Sequence, residues 1–104
     1  MTMLFELNPI DRHFADFIFQ ESGGESLILK PVVSLLSNAV GNGNICLNLE
    51  DITGKEIRVD GEEITFPDLG KLHDSLRGTT VVGLPGEFKP LVLDGKGRLY
   101  LYRY

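Results

Sequence analysis

Residues 90–104 read Pro90-Leu91-Val92-Leu93-Asp94-Gly95-Lys96-Gly97-Arg98-Leu99-Tyr100-Leu101-Tyr102-Arg103-Tyr104, two apolar-rich runs on either side of a glycine-bracketed loop. That is the pattern of a β-hairpin. The second run alternates, so Leu99, Leu101 and Arg103 share one face and Arg98, Tyr100, Tyr102 and Tyr104 share the other. Both faces want cover, because an unpaired strand edge beside half-covered aromatics invites association. The expectation is a single amino-terminal domain, 1–104, cut from a longer chain.

Upstream of the hairpin the signals are mixed. Asn8-Pro9-Ile10-Asp11 is a helix start: Asn8 can accept from a free backbone N–H, Pro9 lacks the N–H it would waste, and Asp11 suits the positive end. Ile10, Phe14, Phe17 and Ile18 then predict one apolar stripe, and Ser22-Gly23-Gly24 ends the helix. A second helix, dense in apolar residues and so buried on most sides, is expected within Ser26 to Val40. Pro31 is tolerated only in a first turn or a kink, so its regular part should begin near Lys30 and stop at Gly41-Asn42-Gly43.

Asn44 to Leu49 predicts a strand with Ile45, Leu47 and Leu49 on one face and Cys46 on the other, Cys46 acting as a small buried hydrophobe. Lys55 to Val59 and Glu62 to Phe66 flank Asp60-Gly61, a preferred two-residue turn, which predicts a small, acidic, solvent-facing hairpin. A third helix should start around Thr65 to Asp68, with Asp68 in its first turn and Leu69, Leu72 and Leu76 on its apolar face, and stop at Gly78. Thr79 to Val82 predicts a short strand and Leu84-Pro85-Gly86 a turn. The order predicts an α+β fold, a small helical cluster followed by short strands and a carboxy-terminal β-hairpin.

Composition narrows the class. A chain of 104 residues with 42% hydrophobic content fits one soluble domain. One cysteine, Cys46, excludes an internal disulfide, and Cys46 with His13 and His73 makes no cluster at zinc spacing. No apolar stretch approaches the roughly 20 residues that span a bilayer, and no basic leader opens the chain, so a cytoplasmic protein without a membrane partner is expected. Net charge is −5, divided unevenly: residues 1–70 hold 12 acidic and 4 basic side chains (4 − 12 = −8), residues 71–104 hold 3 and 6 (6 − 3 = +3). Six basic residues over that length read as ordinary solvated surface; the competing reading is a face for nucleic acid or an acidic partner.

Chemistry is conspicuous by what fails. A phosphate loop needs Gly, four residues, Gly-Lys and then a hydroxyl for magnesium. Gly54-Lys55 is followed by Glu56, Gly70-Lys71 by Leu72 and Gly95-Lys96 by Gly97, so none qualifies. His13 near Asp11 and Asp16, and His73 beside Asp74, lack the third group a catalytic set requires and read as helix-surface residues. Asp60, Glu62 and Glu63 lack calcium-loop spacing. No catalytic, cofactor or metal residue is predicted. The tyrosine stripe has the widest scope: Tyr100, Tyr102 and Tyr104 with Arg98 and Arg103 have the chemistry to stack single-stranded bases, or to pack against a partner surface.

Three segments together carry a family resemblance. Asp11-Arg12-His13-Phe14-Ala15, Ser34 to Leu49 with Gly41-Asn42-Gly43-Asn44-Ile45-Cys46-Leu47, and Pro90 to Asp94 through Arg98 to Tyr104 resemble, in order and over nearly the whole chain, the amino-terminal domain of RecD, the alpha subunit of exodeoxyribonuclease V (RecBCD). The resemblance departs at Lys30-Pro31, where a smoother alanine-rich helix is expected, and at the acidic hairpin around Asp60-Gly61. It implies a non-catalytic assembly domain that docks its subunit onto RecC, within a parent that is an ATP-driven 5′ to 3′ DNA helicase working in double-strand break repair and recombination. RecC-like and RecB-like subunits would be its partners. DNA, ATP and magnesium would belong to the parent complex, with no nucleotide residue in this chain. A single-stranded DNA-binding module using the tyrosine and arginine face is the alternative.

Overall fold

Both long helices begin and end where local chemistry dictates. In the computed structural model, which describes residues 3–5, 7–24 and 26–101, the side chains of residues 3–5 excepted, α1 spans Pro9–Glu21 and α2 spans Leu29–Gly41. Pro9 occupies the first position of α1, and the Asn8 N–H donates to Asp11 Oδ2 at 3.1 Å, the return half of a capping box. Pro31 falls in the first turn of α2, where its missing N–H costs nothing, so the departure noted at Lys30-Pro31 is accommodated. The helix ends are alike. Gly43 donates to the Val40 carbonyl at 3.1 Å and Asn44 to that of Ala39 at 3.0 Å, as Gly23 does to Gln20 and Gly24 to Phe19, closing two Schellman motifs.

The α+β expectation holds, with two sheets. One has the order β1–β3–β4, from β1 (Met3–Phe5), β3 (Glu56–Val59) and β4 (Glu62–Thr65). The other has the order β2–β7–β6–β5, from β2 (Leu47–Asn48), β5 (Val82–Gly83), β6 (Leu91–Leu93) and β7 (Arg98–Leu101). A 3-10 turn (Leu49–Asp51) follows β2, and α3 spans Leu69–Arg77. The terminal hairpin pairs Leu91 with Leu101, Val92 with Tyr100 and Leu93 with Leu99. Its inner face carries Leu91, Leu93 and Leu99, all fully buried.

The core is continuous across both sheets. Helix α2 packs on α1 and on β2 and β7, while α3 packs on β5 and the 3-10 turn. Val32, Val33, Ser34, Leu35 and Leu36 are buried in succession, which a helix allows only when it is covered on most sides, as its composition predicts. Leu49, Ile57, Phe66, Leu72 and Leu76 complete the interior, each contributing about 1.5–3 kcal/mol by burial.

Several expectations need correction. The buried positions of α1 are Asp11, Ala15 and Ile18, with Phe14 packed at the margin, whereas Ile10 and Phe17 are 72% and 57% exposed. The predicted stripe is rotated: small Ala15 is fully buried, and the Asp11 carboxylate is satisfied by Ser37 of α2. The strand at residues 44–49 is reduced to Leu47–Asn48, leaving Ile45 81% exposed, since Asn44 is held to Ala39 and Leu49 turns into the 3-10 segment. Cys46 is half-buried rather than buried. The strand expected at Thr79 to Val82 is displaced to Val82–Gly83, where pairing with β6 fixes it. Asp68 caps α3 from outside, its Oδ1 accepting the Lys71 N–H at 2.9 Å, instead of lying in the first turn. The acidic hairpin is not solvent-facing on both sides: Ile57 and Val59 are buried, and β3 pairs in parallel with β1.

Candidate interaction surface

Asp94 organises the terminal hairpin. Its Oδ1 accepts the N–H groups of Lys96 and Arg98, each at 2.9 Å, and its Oδ2 accepts Arg98 Nε at 2.9 Å and the Tyr100 hydroxyl at 3.3 Å. Partial burial pushes this carboxyl up, but the Arg98 and Lys96 amides and the Arg98 guanidinium outweigh it, so its pKa lies below the usual carboxylate value. The Asp94 carboxylate raises the Arg98 pKa in return, and burial is the first cause that raises that of Tyr100. Of the five residues singled out for stacking or contact, Arg98 and Tyr100 thus share one acceptor, on the half-buried outer face of β7. Tyr102, Arg103 and Tyr104 lie outside the described residues. Sequence reading missed Asp94, although an aspartate before Gly-Lys-Gly is the signal of an Asx turn.

A second constellation ties α1 to the rest of the chain. Asp11, 2% exposed, accepts Ser37 Oγ at 2.6 Å through Oδ1 and the Asn8 N–H through Oδ2, which joins α1 to α2. The next residue turns the other way: Arg12 Nε donates to Asp60 Oδ2 at 2.6 Å, and Asp60 Oδ1 accepts the Leu7 N–H at 2.9 Å. The Arg12 hydrogen bond, then the Leu7 amide, hold the Asp60 carboxyl below its ordinary range. Asp60 sits at φ 51°, a left-handed conformation that aspartate tolerates in a two-residue hairpin turn. Thus Asp11 and Arg12, neighbours in the motif that carries the family resemblance, clamp the helices to each other and to the hairpin.

Between α1, the start of α2 and the β3–β4 hairpin lies an open cleft of about 870 Å³. Its walls include Ile28, Val59 and Ile64, and Lys30 Nζ pairs across it with Asp16 Oδ1 at 2.6 Å. Large apolar side chains also stand outward, Leu27 at the cleft with 83% exposure and Phe88 away from it with 86%.

The glycine-lysine pairs are built for structure. Gly54 donates to the Pro67 carbonyl, the Lys71 N–H is taken by Asp68, and the Lys96 N–H by Asp94. Two of these three amides thus already donate to a carboxylate. His13 is exposed on α1 and His73 half-buried on α3. Among the described residues no group of three or more His, Cys, Asp or Glu is placed to hold a metal ion, and no helix is long and apolar enough to cross a membrane.

A family model described as RecBCD enzyme subunit RecD, N-terminal domain, matches residues 5–100. No curated protein matches the chain.

Proposed function

We propose, from the premise that the chain belongs to the RecD N-terminal domain family, that it is a non-catalytic assembly domain holding a RecD-like helicase subunit to a RecC-like partner. The parent is read as a longer cytoplasmic chain whose own core would bind ATP and magnesium and move 5′ to 3′ on DNA, with a RecB-like subunit in the same complex. The observation that carries the assembly reading is the disposition of apolar surface: Ile10, Phe17, Leu27, Ile45 and Phe88 are large, outward and come from four separate regions of the chain. Protein interfaces use such side chains at their centres.

The alternative, single-stranded DNA binding by the terminal hairpin, draws on Arg98 and Tyr100, whose donors are shared with Asp94. Phosphate would have to compete with that carboxylate, so the assembly reading is preferred. Retention of the chain on an immobilised RecC-like protein from the same genome, at physiological salt, is the expected result. A folded chain that passes through unretained, yet binds an oligonucleotide in a salt-sensitive and Tyr100-dependent way, overturns it in favour of the alternative.

A further inference from the structure

We infer that the cleft between α1, α2 and the β3–β4 hairpin is a docking groove for a segment of a partner protein in which an apolar side chain is flanked by lysine or arginine. The inference rests on the assembly reading and names the surface and the chemistry that serve it. The groove offers apolar walls in Ile28, Val59 and Ile64, and Leu27, 83% exposed, stands among its lining residues as an uncovered apolar contact.

Charge selects the guest. The two cations of the lining are already matched, Arg12 with Asp60 and Lys30 with Asp16, each at 2.6 Å. Glu62 and Glu63, also in the lining, are exposed and form no ion pair among the described residues; Glu63 stands across from Arg58 on the other face of the hairpin, which leaves Glu62 as the surplus carboxylate on the groove face. Glu62 pairs in register with Val59 and lies two positions before Ile64 on the same strand, so it shares the face of both apolar walls. The surrounding chain reinforces this sign, since residues 1–70 carry a formal charge of 4 − 12 = −8. An acidic rim around an apolar floor attracts a basic, apolar segment and repels a phosphate backbone. Glu62 and Leu27 have no core role, so both are open to substitution without loss of the fold.

The test titrates the isotopically labelled chain with a synthetic peptide carrying one leucine flanked by lysines, and in parallel with its glutamate-flanked counterpart. The expected result is saturable amide shifts confined to the groove, centred on Ile28, Val59 and Ile64. Affinity should weaken at least tenfold in Glu62→Lys and severalfold in Leu27→Ser, and the glutamate peptide should not bind. Absence of saturable shifts, shifts centred elsewhere, or unchanged affinity in Glu62→Lys overturns the groove, whatever the RecC-like protein does. If the lysine peptide behaves as expected but the chain is not retained by the RecC-like protein, the groove stands as a docking site and the choice of that partner falls. Retention that survives Glu62→Lys undiminished keeps the partner and overturns the groove as its seat.

Discussion

Arg12 and Asp60, 48 residues apart, meet at 2.6 Å, and this contact joins the first turn of α1 to the turn of the acidic hairpin. The same carboxylate caps the Leu7 N–H, so one exposed turn residue fixes both the helix and the segment that precedes it. The hairpin, a local variation by sequence comparison alone, is thereby a wall of the cleft rather than an appendage.

The Asp60 pKa is depressed from its ordinary 3.8, first by the Arg12 hydrogen bond. A depressed carboxylate stabilises the fold above its unfolded pKa and ceases to do so as pH falls through the folded value. The chain should therefore lose stability as pH drops below about 4, and Asp60→Asn should flatten that loss. Asparagine tolerates the left-handed turn and can still accept from Leu7, so the difference isolates the charge. Urea midpoints of both proteins between pH 3 and 7 check this; parallel profiles would contradict it.

Asp94→Ala should destabilise the chain by about 1–3 kcal/mol, because it strands the half-buried Arg98 amide, removes the acceptor of the exposed Lys96 amide and frees the Arg98 guanidinium. Tyr100→Phe should cost less than Asp94→Ala, since its hydroxyl bond at 3.3 Å is long. Chemical denaturation ranks the two, and the reverse order would refute the role given to Asp94.

Ser37→Ala removes the hydroxyl that donates to Asp11 Oδ1 at 2.6 Å and leaves a buried carboxylate short of a donor. A loss of about 1–3 kcal/mol is expected. In a double-mutant cycle with Asp11→Asn, coupling of at least about 0.5 kcal/mol should appear. Additive losses would separate the two residues.

Gly83 is buried in β5, and a Cβ there would stand 2.6 Å from Lys89 Cγ and 3.0 Å from Glu87 Cβ. Those atoms are side-chain stems, not mobile tips, so Gly83→Ala should cost about 1–3 kcal/mol through overpacking. A thermal melt unchanged from wild type would show that the loop at residues 84–90 yields freely.

Local rules made much of this fold legible. The helix start at Asn8-Pro9, the position of Pro31, the two glycine stops and both hairpin turns follow from chemistry within four residues. What escaped depends on distant partners. Strand β1 pairs in parallel with β3 more than fifty residues away, and nothing in residues 3–5 announces that. The apolar residues of α1 were legible but their rotation was not, because Asp11 is buried only when Ser37 of α2 comes to meet it. Asp60 was explained by its turn, which concealed its bonds to Arg12 and Leu7. Arg98 and Tyr100 were found by type, whereas the acceptor that holds them, Asp94, was read only as the end of the first strand run.

The most direct test of the assembly claim is the mass, by light scattering after size exclusion, of an equimolar mixture of this chain and the RecC-like protein of the same genome. The account predicts a single peak at the mass of a one-to-one complex. Two peaks at the separate masses, with the chain folded by circular dichroism, would contradict it.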